Sequence, residues 1–148
     1  MSGHAAESAG TRFLNVDLDV FSRAPLDPLA AAFGGKVIVL YSGRRGRRYS
    51  AHFEVGGYVR NSQADRLIWR FVQLVKHLSR SARRLWDEAD AREFNIGIDA
   101  AKSSPVFELR LRAETVAAVA DIRGRIAVTI YGPERLMRSS RRSRRSKT

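Results

Sequence analysis

The longest pattern in the chain is an amphipathic repeat that begins after Ser62. Apolar side chains recur there at alternating three- and four-residue steps, the spacing that places them on one face of a helix. They are Leu67, Phe71, Leu74, Leu78, Ala82 and Leu85. Ser62 suits an N-cap and Asp65 suits a first helical turn, whereas Ser79 and Ser81 lower helix propensity and predict a bend. The segment therefore predicts a long, bent helix whose apolar face covers a sheet.

Several stretches alternate between apolar and polar residues, which is the period of a half-buried strand. They are residues 12–21, 48–55, 93–100 and 106–112. Residues 36–42 carry consecutive apolar side chains, which predicts a central strand covered on both faces. The Gly43-Arg44-Arg45-Gly46 turn joins this strand to the next in a hairpin, and the last two alternating stretches predict a second hairpin. Residues 125–131 predict a final strand.

Two short helices complete the predicted order of elements. Asp27-Pro28 suits a helix start and Gly34-Gly35 a helix end, and an Ala- and Val-rich helix over residues 114–122 ends at Gly124. The order is then β-α-β-β-α-β-β-α-β. It predicts an α+β fold, with a single mainly antiparallel sheet of about six strands and one long and two short helices packed on it.

Composition changes this picture at the ends of the chain. The 148 residues include 44% hydrophobic residues and no Cys, which allows a packed core and excludes disulfides and Cys-ligated metals. Residues 1–11 and the basic tail, residues 134–148, are too polar to order themselves, so the predicted domain is residues 12–133. The N-terminus lacks the features of a signal peptide, and no run of residues is long and apolar enough to span a membrane, so we expect a cytoplasmic protein.

The net charge of +12 suggests a polyanion partner such as nucleic acid. The candidate phosphate contacts are Arg44, Arg45, Arg47 and Arg48 in the hairpin and Arg141, Arg142, Arg144 and Arg145 in the tail. Because the tail contains no aromatic residue, any binding there should be weak and independent of nucleotide sequence. The alternative is that an Arg- and Ala-rich composition reflects coding bias rather than selection for binding. The predicted partner is therefore either an unknown protein or a polyanion.

Polar side chains of two predicted strands form a second candidate site. They are Asn15, Asp17 and Asp19 on the first strand and Asn95 and Asp99 on the fourth. If these strands are neighbours, their oxygens could hold Mg²⁺ or Ca²⁺, or bind a cationic or hydroxyl-rich ligand. Gly97 would permit close approach of that ligand or of another backbone, or it could equally mark a β-bulge. The alternative is a solvated sheet face whose acids pair with Arg110 and Arg112.

The sequence offers little for catalysis. His4, His52 and His77 lie in no recognised catalytic motif, and the Gly43–Gly46 turn lacks the Lys-Ser/Thr ending of a phosphate-binding loop. Trp69, Trp86 and Tyr58 could recognise a partner, but their spacing favours the edge of the core. We therefore assign no catalytic residue, no metal ligand and no cofactor, and favour a protein that is not an enzyme. An enzyme or metal-dependent binder that uses Asp17, Asp19 and Asp99 is the remaining alternative.

Three stretches carry a resemblance to a known family. They are PLDPLAAAFGG after the opening strand, FNIGIDA, and FELRLRAETVAAVADIRGRIAVTIYG. Over about residues 12–132 the chain resembles an uncharacterised family of small bacterial α+β domains of unknown function. The resemblance implies a fold of this kind in bacteria and no particular activity. Together with the composition, it predicts a non-enzymatic binding or regulatory module of the bacterial cytoplasm.

Overall fold

A computed structural model describes residues 10–56, 63–103 and 105–132 of the chain. Within these residues the strands are Arg12–Ser22 (β1), Val37–Arg45 (β2), Arg48–Val55 (β3), Ala91–Asp99 (β4) and Arg125–Tyr131 (β5). The α-helices are Asp27–Phe33 (α1), Ala64–Lys76 (α2), Arg80–Glu88 (α3) and Ala113–Asp121 (α4), and a short 3₁₀ helix, Gly34–Lys36, follows α1. None of the helices in these ranges is long and apolar enough to cross a membrane.

The five strands of the described residues form one sheet in the order β2-β3-β1-β4-β5. All neighbours are antiparallel except β4 and β5, which are parallel and joined through α4. The first four strands have the connectivity of a ferredoxin-like β-α-β-β-α-β motif, in which β3 lies between β1 and β2. The α+β class is confirmed, but this sheet is mixed and has five strands rather than about six.

The predicted strand over residues 106–112 is wrong. The place beside β4 that it would need is taken by β5. Leu109 and Leu111, which alternate with polar residues, pack at the edge of the core. Arg112 is the residue that precedes α4. The alternating pattern is therefore satisfied by burial without a strand partner.

The prediction of a central, doubly covered strand over residues 36–42 is also wrong. It corresponds to β2, which is an edge strand, and Ile38, Val39 and Leu40 are 49%, 45% and 51% exposed. Consecutive apolar residues are typical of a covered strand, but β3 takes the central place because it pairs with both β1 and β2. The predicted hairpin itself is confirmed, with Gly46 at a φ of +62° in its turn.

The predicted bend of the long helix is a complete break. α2 ends at Lys76 and α3 begins at Arg80, where the Ser79 hydroxyl caps the new helix by accepting a hydrogen bond from the Ala82 N–H at 3.3 Å. Each of the two helices therefore buries its own set of side chains. The buried side chains are Ala64, Ile68, Phe71, Val72, Val75, Ala82 and Trp86. Leu67, Leu74, Leu78 and Leu85 of the predicted stripe are only partly buried, and the predicted cap Ser62 lies outside the described residues.

The core lies between the helices and one face of the sheet. The strand residues in it are Val16, Leu18, Val20, Ala51, Phe53, Phe94, Ile96 and Ile98. Trp86 belongs to this core, fully buried, and its indole N–H donates a 2.8 Å hydrogen bond to the Ile122 carbonyl. Because side chains alternate along a strand, the residues between these positions line the opposite face. No described helix residue belongs to that opposite side, which we call the helix-free face.

Candidate functional site

The helix-free face brings together polar residues from three neighbouring strands. β1 and β4 are adjacent, and Asp17 lies directly opposite Asn95. On the other side of β1, the register that places Asp19 opposite His52 brings Glu54 beside Asp17. Four of the five predicted site residues therefore lie near one another on this face: Asn15, Asp17, Asp19 and Asn95. Glu54 and His52 of β3, which the sequence pattern did not assign to a site, lie beside them.

Asn15 holds the carboxyl groups of Asp17 and Glu54 together. Its side-chain amide donates to Asp17 Oδ1 at 3.1 Å and to Glu54 Oε1 at 2.9 Å. Asn15 lies opposite Gly97, and a Cβ atom at position 97 would stand 2.9 Å from Asn15 Oδ1. The glycine thus leaves room for the amide that bridges the two carboxyl groups.

The pKa of Asp17 is raised from 3.8 to about 6. Burial is the largest cause, followed by the negative charges of Glu54 and Asp19 and a hydrogen bond with Glu54, while the charge of His52 acts in the opposite direction. Asp17 and Glu54 are therefore a pair of carboxyl groups that readily shares one proton. We call these two residues the carboxyl pair.

A second pair lies beside the first. The Nδ1 atom of His52 is 2.5 Å from Asp19 Oδ1, and both side chains are mostly buried. The rings of Phe21 and Tyr41 lie 6.0 Å and 5.9 Å from the His52 ring, centroid to centroid. The imidazole is therefore fixed in place by one carboxylate and two aromatic neighbours.

A third feature of this face is a buried hydroxyl group. Ser50 precedes His52 by two residues on β3 and is only 3% exposed. Its Oγ atom has no hydrogen-bond partner among the described residues. A buried hydroxyl group without a partner is costly, so Ser50 is an unsatisfied polar group beneath this face rather than a group that a ligand contacts.

The fifth predicted site residue, Asp99, lies farther along the sheet. Asp99 lies opposite Arg12 and pairs with it at 3.6 Å, about 13 Å along β4 from Asn95 at the usual rise per residue. Asn95 accepts a 2.8 Å hydrogen bond from the Thr129 hydroxyl of β5. Asp99 therefore does not converge with Asp17. In the ranges that the structure covers, no group of three or more His, Asp or Glu side chains is arranged to hold a metal ion.

The predicted alternative pairing of these acids with Arg110 and Arg112 is wrong. Arg110 pairs with Glu108 at 2.8 Å, and Arg112 pairs with Asp65 at 2.8 Å. Both arginines belong to the segment that runs from β4 to α4 outside the sheet, so they do not reach the helix-free face. The carboxyl pair is left without an arginine or lysine partner among the described residues.

The hairpin arginines are exposed at the end of the sheet. Arg44 donates to the Gly46 carbonyl at 2.8 Å, and the guanidinium of Arg45 lies 4.7 Å from the centre of the Tyr41 ring. Arg48 pairs with Asp90 at 3.3 Å. The predicted tail contacts lie outside the described residues, as do His4 and Tyr58. They are Arg141, Arg142, Arg144 and Arg145, and the nucleic-acid interface to which they belong stays a prediction.

Comparison of the chain with models of protein families, with curated proteins and with solved structures finds no match. The resemblance based on PLDPLAAAFGG and FNIGIDA therefore stays a prediction. Function has to be inferred from the geometry of the helix-free face and from the charge of the chain.

Proposed function

We propose that this chain is a non-enzymatic binding module of the bacterial cytoplasm, and that its helix-free face binds a small ligand carrying a protonated amine and hydroxyl groups. The observation that carries the proposal is the carboxyl pair, Asp17 and Glu54, which lies half-buried without a cationic partner among the described residues. A ligand ammonium group supplies the missing positive charge. The absence of Cys is compatible with a reducing compartment.

Among the described residues, the carboxyl pair has no cationic partner, which is unusual in so basic a chain. Most of the described carboxylates pair with an arginine or histidine: Asp19, Asp65, Asp87, Glu88, Asp90, Glu93, Asp99 and Glu108. Asp17 and Glu54 instead share the amide of Asn15 and a hydrogen bond with each other. A half-buried pair of this kind favours either a shared proton or a bound cation.

Protonation of the carboxyl pair competes with binding of an ammonium group, so binding should depend on pH. The pKa of Asp17 is raised to about 6, so this carboxyl group is protonated below that pH and negatively charged above it. An ammonium ligand must displace this proton, and its affinity should therefore rise as the pH increases from about 5 to about 7.5. The Asn95 side-chain amide, opposite Asp17, provides a hydrogen-bonding group for a ligand hydroxyl.

The same geometry argues against nucleophilic catalysis. The Asp19–His52 pair has the form of an oriented base, which in such enzymes activates a neighbouring nucleophile. Ser50 is the described serine that precedes His52 by two residues on β3, and its hydroxyl makes no hydrogen bond to His52. A binding role is therefore the better proposal for this face.

The proposal is tested by calorimetric titration of the full chain with ethanolamine, 1,3-diamino-2-propanol and spermidine at pH 7.5 and pH 5. We expect saturable binding of at least one amine at pH 7.5 that weakens at pH 5. Asp17→Asn and Glu54→Gln should each weaken it by roughly tenfold or more, since each removes one charge of the pair. Asp121→Asn, which removes a carboxyl group from the exposed side of α4, is the matched control. Equal binding by Asp17→Asn and the unmutated chain would contradict the proposal.

A second candidate function is non-specific association with nucleic acid through the hairpin and the basic tail. It is favoured by the exposure of Arg44, Arg45 and Arg47, for which no carboxylate partner is found among the described residues. The tail adds seven basic residues against one acidic residue. Contacts to phosphate alone would not distinguish one nucleotide sequence from another.

The salt dependence of DNA binding tests this candidate. Full engagement of the seven tail cations would make log affinity fall against log salt with a slope of about −6. We expect weak duplex binding at low salt that is lost when the chain is truncated after Pro133. Binding that survives truncation but is lost in a variant with Arg44, Arg45 and Arg47 changed to Gln would place the interface on the hairpin. Tight, sequence-selective binding that is insensitive to salt would contradict a phosphate interface.

A further inference from the structure

The outer edge of the sheet at β5 exposes an apolar strand. Val128, Ile130 and Tyr131 are 55%, 64% and 45% exposed. β5 pairs with β4 on one side, and no other strand of the described residues pairs with it on the other. An edge that offers both unpaired backbone groups and apolar side chains is the kind of surface to which another strand is added.

The backbone of β5 indicates which groups face this open side. The Tyr131 carbonyl accepts a 2.9 Å hydrogen bond from the Ala100 N–H, so the backbone of Tyr131 faces β4. Because successive residues of a strand point their N–H and C=O groups to alternate sides, the backbone groups of Ile126, Val128 and Ile130 face outward. The side chains of these same three residues lie on the helix-covered face, since they are in register with Phe94, Ile96 and Ile98.

The other edge strand, β2, also exposes apolar side chains, but its backbone register is interrupted and that of β5 is regular. β2 carries a bulge between Val39 and Tyr41, and its exposed end is occupied by Arg44 and Arg45. Bulges and charged side chains are the usual means by which proteins prevent strand addition at an edge. The β5 sequence RIAVTIY has a regular register with β4, no Pro, and a single charged residue at its first position.

We propose that β5 pairs with β5 of a second copy of this chain, antiparallel and about a twofold axis through Val128. In that register each Val128 faces its own counterpart, and Ile126 of one copy faces Ile130 of the other. All three outward-facing residues then exchange both backbone hydrogen bonds with the residue opposite, as in a regular antiparallel pair. The two sheets become continuous, and the same surface serves both partners, as a twofold interface requires.

The position of the one charged residue favours this orientation. In a parallel arrangement in register, the two Arg125 side chains would lie side by side and repel each other. In the antiparallel arrangement Arg125 faces Tyr131 of the other copy, where a guanidinium and an aromatic ring attract each other. Ala127 faces Thr129, which places two small side chains together on the helix-free face.

The two ends of the chain that lie outside the described residues do not supply a better occupant. From Glu134 to Thr148 its only apolar residues are Leu136 and Met137, among seven basic residues. Such a segment cannot cover Val128 and Ile130 with side chains of like character. Residues 1–9, MSGHAAESA, likewise contain no β-branched or aromatic residue. A second copy provides apolar, β-branched side chains in the required register.

Analytical ultracentrifugation of the full chain at physiological salt, from low to high micromolar concentration, tests the proposal. We expect a monomer–dimer equilibrium. Val128→Lys and Val128→Glu should each weaken it by roughly 100-fold or more, because each places two like charges on the twofold axis. An equimolar mixture of these two variants should recover the dimer through a Lys–Glu pair. Val39→Lys, at a similarly exposed position on β2, is the matched control and should dimerise as the unmutated chain does.

A monomeric unmutated chain over the whole range would overturn the proposal. A dimer that persists in Val128→Lys would also overturn it. If that dimer were lost in Val39→Lys instead, the interface would lie on β2. Recovery in the mixture also excludes misfolding as the cause of the separate losses. The outcome is independent of the carboxyl pair, because neither Asp17 nor Glu54 contributes to this edge.

Discussion

His52 and Asp19 face each other across β3 and β1, with the Nδ1 atom of His52 2.5 Å from Asp19 Oδ1. This contact links the two pairs of the helix-free face, because the charge of His52 lowers the pKa of Asp17, which every other influence raises. The imidazole therefore helps to set the pH at which the carboxyl pair loses its proton.

Replacing His52 with Gln should raise the pKa of Asp17 above its present value of about 6, since the only opposing influence on it is removed. The measurement is an NMR titration of the Asp17 side-chain carboxyl carbon. His77→Gln is the control, because His77 lies at the end of α2, where its Nδ1 contacts the Gln73 carbonyl. An unchanged Asp17 titration in His52→Gln would contradict the expected coupling.

The raised pKa of Asp17 also predicts how stability depends on pH. The folded chain holds this proton up to about pH 6, whereas the unfolded chain releases it near 3.8, so the free energy of unfolding should fall as pH rises between these values. Asp17→Asn removes the charge that is destabilising above pH 6. It should therefore stabilise the chain at pH 7.5 by about 1 kcal/mol, after allowance for solvent screening, and give no gain at pH 4.

Urea denaturation of both proteins at several pH values measures this difference. Asp121→Asn again controls for the loss of one negative charge from a basic chain. If Asp17→Asn were less stable than the unmutated chain at pH 7.5, the charge of Asp17 would be stabilising, contrary to its raised pKa.

Asp65 joins the start of α2 to the start of α4. Its Oδ1 accepts a 2.8 Å hydrogen bond from the Arg112 backbone N–H, and its Oδ2 accepts one of 2.8 Å from Arg112 Nε. The Arg112 guanidinium also lies 5.3 Å from the Trp69 ring centroid. Burial alone raises the pKa of Asp65, but the hydrogen bonds from Arg112 and Thr115 outweigh it and lower the pKa overall.

Asp65→Ala should therefore destabilise the chain by about 1–3 kcal/mol near neutral pH, because it leaves the Arg112 N–H without its partner. A lowered pKa means that this stabilisation is present above the ordinary value of 3.8 and is lost as the pH falls through the folded-state value, so the difference should shrink in acid. Glu88→Ala, which breaks an exposed pair with Arg84, is the control and should cost at most about 0.5 kcal/mol. Equal losses in the two variants near neutral pH would show that the Asp65 contact is not structural.

Local patterns identified most of the helices and strands, and for several strands they also identified which side chains share a face. Alternation along residues 12–21 and 93–100 correctly placed Asp17 and Asn95 on one side of a sheet, and the serines near residue 80 marked the helix break. Strict alternation along residues 12–21 would also place Leu14 in the core with Val16, and this is wrong. An irregularity in the β1–β4 register turns Phe13 towards the core and leaves Leu14 42% exposed. These properties follow from backbone periodicity and capping, which depend on residues close together in the chain.

The neighbours of each strand were decided only by the tertiary structure. Alternation in residues 48–55 places His52 and Glu54 on the outer face, but nothing in that segment indicates that β3 lies against β1, beside Asp19 and Asp17. Nor does the alternation in residues 106–112 reveal that β5 will occupy the place beside β4. The physical reason is that the period of a strand determines which side chains share a face, whereas its partner is selected by long-range backbone pairing and by the packing of helices from distant parts of the chain.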